Sequence, residues 1–305
     1  MVENREELRT HHVLEITTIV GCKVACRYCP QEKFVNAYKK ISDIYRFDLD
    51  NFKTVLATVP EEVDIYFCGM SEPFLHPQCA EMICYARQKG HRIALDTSLV
   101  GMTQSDVNLL KDIPLLFLAL HLPSSQGEET IKVDDNYLEI LYSILGGGLN
   151  YQDLHLHYYG NELHEKIELG SAEQMPLFSR GGTIQVSNSA LPGRFKGEIG
   201  CNRNHRYNVL LPNGDVLLCS TDWEMKHVLG NLNDTDYLTL FKGKAFFDIV
   251  AGMKNENVDI LCRFCESHAH DVNLKAKIMN FIPNAQRRFK FIKAKRNSGN
   301  RNGRQ

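Results

Sequence analysis

From residue 13 onwards, short apolar runs alternate with stretches of helical periodicity. The first run, Val13-Leu14-Glu15-Ile16-Thr17-Thr18-Ile19, predicts a strand. Further strands are predicted over residues 63–68, 91–97, 114–121, 153–158 and 183–186. The 114–121 run is apolar enough for a parallel strand covered on both faces. Helical spacing predicts helices over 76–89, over 103–111 with Thr103 as cap, and over 134–144 ending at Gly146-Gly147-Gly148. A polar helix is predicted around 171–178. Six strands with intervening helices make a β/α layout with a parallel sheet. Periodicity alone leaves both an open doubly wound sheet and a barrel. After residue 192 the pattern changes, and two apolar runs joined by Pro212-Asn213-Gly214-Asp215 predict a β-hairpin over 207–218.

Composition narrows the class. The 305 residues, 43% of them hydrophobic, suffice for one large domain plus a smaller one. No run of 18 apolar residues occurs, so no spanning helix is expected, and the charged N-terminus lacks the apolar segment of a signal peptide. Ten cysteines in such a chain point to a reducing, cytoplasmic setting, where clustered Cys more often binds metal than forms disulfides. The formal charge of −2 is uneven: ten Lys and Arg follow Asp271 with no acid among them, leaving −12 on the body. In that tail Leu274, Ile278, Phe281, Ile282, Ala285, Phe289 and Ile292 fall at near-helical spacing. This suits a helix closing a small domain, and equally an anionic membrane surface or an acidic partner. No specific nucleic acid is expected.

The chemistry concentrates in Gly21-Cys22-Lys23-Val24-Ala25-Cys26-Arg27-Tyr28-Cys29-Pro30, directly after the first strand. Three thiolates at this spacing can hold one face of an iron–sulfur cluster and leave one iron open; a zinc knuckle or buried cysteines are the alternatives. The motif resembles the signature of the radical S-adenosylmethionine (SAM) superfamily, Cys-x3-Cys-x2-Cys with an aromatic, here Tyr28, before the third Cys. The resemblance implies a partial (β/α)6 barrel and a [4Fe–4S] cluster whose open iron chelates SAM, which is cleaved to methionine and a 5′-deoxyadenosyl radical. Cys68-Gly69-Met70-Ser71-Glu72-Pro73 resembles the family's Gly-Gly-Glu-Pro element, departing from it at Met70-Ser71. By that likeness Gly69, Ser71 and Glu72 are expected to meet the SAM ammonium group. Tyr28, Thr97, Ser98, His121 and Asn188, in the cluster loop or after strands, are expected around the rest of SAM, although Thr and Ser there also cap helices.

A second set, Cys201, Cys219, Cys262 and Cys265, brackets the hairpin and ends in Cys-x2-Cys. Four cysteines can close a second cluster completely, or hold structural zinc. The spacing of Cys201, Gly214 and Cys219, followed by Asp222 and Leu229-Gly230-Asn231, resembles the opening of the SPASM extension of radical SAM enzymes. No cysteine follows Cys265, so the extension is similar to the shortened "twitch" form with one auxiliary [4Fe–4S] cluster. The expected domains are an N-terminal extension over 1–12, a radical SAM core over 13–195, an α+β twitch/SPASM-like domain over 196–273 and a basic tail over 274–305.

A chain of this organisation is similar to the radical SAM dehydrogenases of aminocyclitols and sugar-derived alcohols. That likeness implies oxidation of a secondary alcohol to a ketone, with the auxiliary cluster taking one electron and flavodoxin or ferredoxin supplying the reductant. A peptide maturase, an epimerase using a donor such as Cys68, and a structural Fe–S or zinc protein are the alternatives. His121, Tyr158, Arg194 and Asp222 are the candidate general bases by chemistry.

Overall fold

The computed structural model describes residues 12–185, 193–201 and 206–265. Its strands are β1 (Val13–Ile16), β2 (Asp64–Phe67), β3 (Ile93–Thr97), β4 (Leu115–His121), β5 (Tyr151–Tyr158), β6 (Glu173–Gln174), β7 (Tyr207–Leu210), β8 (Asp215–Leu217) and β9 (Val228–Asn231). They form one sheet in the order β6-β5-β4-β3-β2-β1-β7-β8-β9. The strands from β6 to β7 pair in parallel, and β8 and β9 add antiparallel. This is the α/β layout of a partial radical SAM barrel followed by an antiparallel C-terminal region.

Helices α1 (Gln31–Tyr38), α2 (Leu49–Leu56), α3 (Cys79–Gln88), α4 (Gln104–Leu110) and α5 (Asp135–Ser143) fall between the parallel strands. The short α6 (Tyr237–Leu240) and α7 (Lys244–Lys254) follow β9. Two of the starts are written locally. Asp48 accepts from the Asp50 and Asn51 amides at α2, and Thr103 and Asp106 form a reciprocal capping box at α4. Among the described residues no helix is long and apolar enough to cross a membrane.

Strand parity sorts the side chains. Leu14, Ile16, Ile65, Phe67, Leu95, Leu118, Leu120 and Leu156 enter the main core beneath the helices, each contributing about 1.5–3 kcal/mol by burial. Their sequence neighbours face the other way, because successive strand residues alternate. That interior face carries Glu15, Tyr66, Asp96, Phe117, His121, His155 and His157. Ring contacts run across it, Tyr66 to Phe117 at 5.1 Å, Phe117 to His155 at 5.8 Å and His121 to His157 at 5.4 Å.

Three expectations change. The helix predicted over 171–178 is absent: Glu173–Gln174 pairs with His157 and Tyr158, and the Met175 amide donates to Tyr158 O at 2.9 Å. The open edge of β5 offers ladder bonds that a short polar segment interrupted by Pro176 cannot match as a helix. Residues 183–185 form no strand. Gly181 and Gly182 take positive φ, and the Thr183 and Ile184 amides fold back onto Ser179 O; Val186 lies outside the described residues. The helix expected from residue 76 is split, with a 3-10 turn at Pro73–Leu75 and α3 starting at Cys79. Beyond residue 200, the hairpin of β7 and β8 is as predicted, but β7 continues the barrel sheet by pairing with β1, Leu14 opposite Asn208 and Ile16 opposite Leu210.

Candidate active site at the barrel mouth

The loop after β1 carries Cys22, Cys26 and Cys29, all partly exposed. Gly21 at φ 93° and Ala25 at φ 50° bend it. The 128–130 segment holds it from one side, through Arg27 N donating to Glu128 O at 2.8 Å and Thr130 N to Val24 O at 2.6 Å. Gln31, the first residue of α1, holds it from the other. Its Oε1 accepts from Cys22 N at 3.4 Å, its Nε2 lies 3.8 Å from Cys29 Sγ, and Nε2 also donates to Met70 O. Sequence reading missed Gln31, whose bond to Met70 O joins the loop to a turn distant in the chain. Burial pushes all three thiols up, Cys29 to about 11 against the opposing pull of Arg180, and Cys26 feels both other cysteines. Such thiols ionise only beside compensating positive charge, which a cluster supplies.

The 69–72 turn after β2 reaches the same place. Gly69 has φ 66°, and a Cβ there would lie 2.5 Å from Thr17 Oγ1, so only glycine lets this turn sit on the end of β1. Thr17 Oγ1 accepts from Met70 N at 3.0 Å, and Glu72 N points at Cys22 Sγ at 3.5 Å. Glu72 is buried. Its Oε1 accepts from Thr97 Oγ1 (2.6 Å) and Phe74 N (3.2 Å), its Oε2 from Ser98 N (2.6 Å) and Ser98 Oγ (2.7 Å). With its four acceptor positions filled, Glu72 braces the turn, and Thr97 and Ser98 serve Glu72. Ser71 Oγ, by contrast, is buried without a partner and is a free polar group of this turn.

A second network locks Tyr28. Its hydroxyl donates to Glu129 Oε1 at 2.8 Å and lies 2.5 Å from His121 Nε2, which is itself 3.2 Å from Glu129 Oε1. Ser124 N and Oγ both donate to Glu129 Oε2 at 3.2 Å. Burial alone would raise the Glu129 pKa, yet these bonds from His121, Tyr28 and Ser124 hold it below the usual carboxylate range. Tyr28 packs on Tyr159 at 4.3 Å, and His121 meets Tyr159 at 5.1 Å and His157 at 5.4 Å.

Tyr158, the candidate base, packs against the main core, on the outer face of β5. The residues on either side of it, His157 and Tyr159, face His121. Arg180, at φ 52°, is another residue that sequence reading passed over. It acts electrostatically on both Cys29 and Tyr159, and its buried Nε has no partner. Its turn is pinned between regions: Thr183 O accepts from Lys33 Nζ at 2.7 Å, and a Cβ on Gly181 would lie 2.9 Å from Thr221 and 3.0 Å from Leu261.

The second cysteine set also comes together. Burial pushes Cys219 up to about 12, with Cys265 and Cys201 adding to the rise, and burial together with Cys219, Cys201 and Cys265 likewise raises Cys262. Asp222 is fully buried and accepts from Lys226 N at 2.8 Å and His227 N at 2.7 Å; His227 Nε2 accepts from Leu261 N at 3.0 Å. The Cys219 loop is thereby tied to Cys262. Arg263, between the last two cysteines, is 0% exposed and donates to Phe195 O, Gly197 O, Gly252 O and Met253 O at 2.7–3.3 Å. It gathers the approach to Cys201, the end of α7 and the Cys-x2-Cys turn. Asp222 and Arg194 thus stand away from the barrel interior: Asp222 staples a loop, and Arg194 donates to Val258 O at 3.1 Å. Asn188 lies outside the described residues. Cys79 is buried in the main core and Cys84 packs against it. Among the described residues no three His, Cys, Asp or Glu close around a single ion.

The radical SAM superfamily model matches residues 16–155, and the iron-sulfur cluster-binding SPASM domain model matches 201–266. The chain belongs to the radical SAM superfamily as an enzyme with a SPASM domain, so a SAM-cleaving [4Fe–4S] cluster, SAM and an auxiliary Fe–S cluster are its cofactors. Its fold is similar to BtrN in complex with AdoMet and 2-DOIA, with TM-score 0.56 and 16% identity over 86% of this chain and 94% of that one. It is also similar to native anSMEcpe with bound AdoMet and Cp18Cys peptide, with TM-score 0.52 and 13% identity over 83% of this chain and 86% of that one. A search of curated proteins finds no match.

Proposed function

We propose that this protein is a radical SAM dehydrogenase that oxidises a secondary alcohol of a sugar- or cyclitol-type substrate to a ketone. In this reading Cys22, Cys26 and Cys29 hold the SAM-cleaving cluster, and Cys201, Cys219, Cys262 and Cys265 hold an auxiliary [4Fe–4S] cluster. The observation that carries it is the second set: cysteines from three segments lie near enough to act electrostatically on one another, which supports a cluster held by four protein ligands. A cluster with no open iron suits electron transfer, and an alcohol oxidation must pass on one electron. When bound, the first cluster and SAM supply a hydrogen-abstracting 5′-deoxyadenosyl group.

The chain's residues supply position and exclusion of water. Gln31 and Glu72 hold the cluster loop against the SAM-side turn, and the unpartnered Ser71 hydroxyl is suited to a polar SAM group. The interior face presents histidines, carboxylates and aromatic rings, which match a small polyhydroxylated ring by hydrogen bonding and by CH packing. The likeness to BtrN, whose complex holds 2-DOIA beside AdoMet, supports a small polar substrate. The likeness to anSMEcpe, whose complex holds a peptide, favours peptide oxidation as the second reading. The radical SAM core over 13–195 and the twitch/SPASM-like region over 196–273 are functional divisions in this reading, since one sheet runs across them. Flavodoxin or ferredoxin is the proposed electron donor. The basic tail over 274–305, with its membrane or acidic-partner reading, lies outside the described residues.

The test is anaerobic turnover with reductant, SAM and a panel of polyols and aminocyclitols deuterated at each carbinol carbon. Deuterium in 5′-deoxyadenosine with one ketone per SAM is the expected result. An isomer with no carbonyl, its label at the reacting carbon replaced by a hydrogen from solvent, would show an epimerase instead.

A further inference from the structure

We infer that His157 is the proton acceptor for the substrate hydroxyl. The inference rests on the alcohol-oxidation reading. His157 stands near the C-terminal end of β5, level with His121 of β4 and Glu173 of β6. Its ring lies on the interior face, stacked on His121 at 5.4 Å with an interplanar angle of 22° and edge-on to Tyr159 at 6.1 Å. Neither ring nitrogen makes a hydrogen bond within the described residues.

That distinguishes it from the other well-placed histidines. His76 is bonded to Phe47 O, His91 to Val63 O and His227 to Leu261 N, and each of these three rings is a brace. His121 reaches the mouth, but its Nε2 is engaged with Tyr28 and Glu129. His157 therefore combines position at the strand ends with nitrogens left over for a ligand.

Its surroundings favour the neutral, proton-accepting form. Burial lowers its pKa, Asp96 on β3 pulls the other way, and His121 and His155 add to the lowering; Tyr159 also faces it, with Glu129 behind His121. Asp96 is the anion that would balance the imidazolium once a proton arrives. The step then balances. With SAM and both clusters bound, the carbinol carbon would lose its hydrogen atom to the SAM-derived radical and the hydroxyl proton would go to a His157 ring nitrogen. The remaining electron would be taken up by the oxidising auxiliary cluster, leaving the C–O bond a carbonyl.

The experiment uses the reconstituted two-cluster enzyme, SAM and two deuterated panels: polyols, and peptides carrying Ser or Cys. H157Q is expected to keep its iron and SAM binding and to move label into 5′-deoxyadenosine. Carbonyl product per 5′-deoxyadenosine should fall about 100-fold, the range of a lost general base, and the rise of product formation with pH should flatten. D96N should move that rise to lower pH, since its charge raises the His157 pKa. Unchanged product yield and pH profile in H157Q would overturn the assignment. If H157Q loses iron, H157A is assayed with added imidazole, where restored carbonyl formation supports the assignment and its absence overturns it. Turnover of a peptide and no polyol would refute the proposed substrate while still testing His157 on that peptide. Oxidation of neither panel would refute the dehydrogenase reading and the role of His157 together.

Discussion

The two cysteine sites are built in opposite ways. The triad comes from eight consecutive residues of one loop, and the nearby Gln31 and the distant Glu128 and Thr130 only steady it. The quartet comes from three segments, and nothing local brings Cys201 to Cys262. Arg263 does so, by donating to four carbonyls on two other segments, and the bond from Leu261 N to His227 completes the closure. A site made by one loop survives loosening of its supports, whereas a site made by tertiary bonds fails with them.

The largest effect should come from the cysteines themselves. C26A is expected to leave about four of about eight irons per chain and to abolish 5′-deoxyadenosine formation. C262A is expected to keep SAM cleavage while losing carbonyl product. Iron analysis with product quantification checks both, and equal loss in the two variants would break the comparison.

Next comes the brace. R263A strands up to four buried carbonyls and is expected to cost about 3 kcal/mol, with loss of the auxiliary irons first and the triad's irons retained. Denaturant midpoints and Mössbauer quantification would show it; simultaneous loss of both clusters would mean that the two sites are not separately held.

E129Q sharpens the contrast on the triad side. Loss of charged hydrogen bonds to Tyr28 and Ser124 is expected to cost about 1.5–3 kcal/mol, with little loss of triad iron. Because the folded carboxyl is held below its unfolded value of about 4.3, its contribution is full above that pH and fades as pH falls through the folded value. Chelator-stripped wild type and E129Q should therefore differ equally at pH 8 and 6 and converge in stronger acid.

The smallest effect belongs to T103A, which removes the cap of α4, away from both sites. About 1 kcal/mol of stability should go, with iron content and SAM cleavage unchanged. Loss of iron here would show that cluster binding merely reports global stability.

Much of this protein was legible before any fold was known. The triad spacing, the strand that precedes it, the hairpin between Cys201 and Cys219 and the Thr103 cap depend on residues close in the chain, where sequence pattern carries the physics. The order of strands up to β5, and of the helices after β2, follows from hydrophobic periodicity, because each strand must cover a core on its outer face; α1 and α2 were not read from the sequence. What only the tertiary structure decided is which neighbour on a strand faces inwards and which distant groups meet. Tyr158 was a reasonable base by chemistry, but the two-residue period of a strand turns it to the core and turns His157 inwards, and a one-residue difference reverses every side chain. Glu72 was read as a SAM ligand, and the fold fills its carboxylate with Thr97, Ser98 and Phe74. Gln31, Arg180, His227 and Arg263 carry no motif. Their roles exist because hydrogen bonds and buried charge act over ångströms of space, and separation along the chain does not reveal that distance.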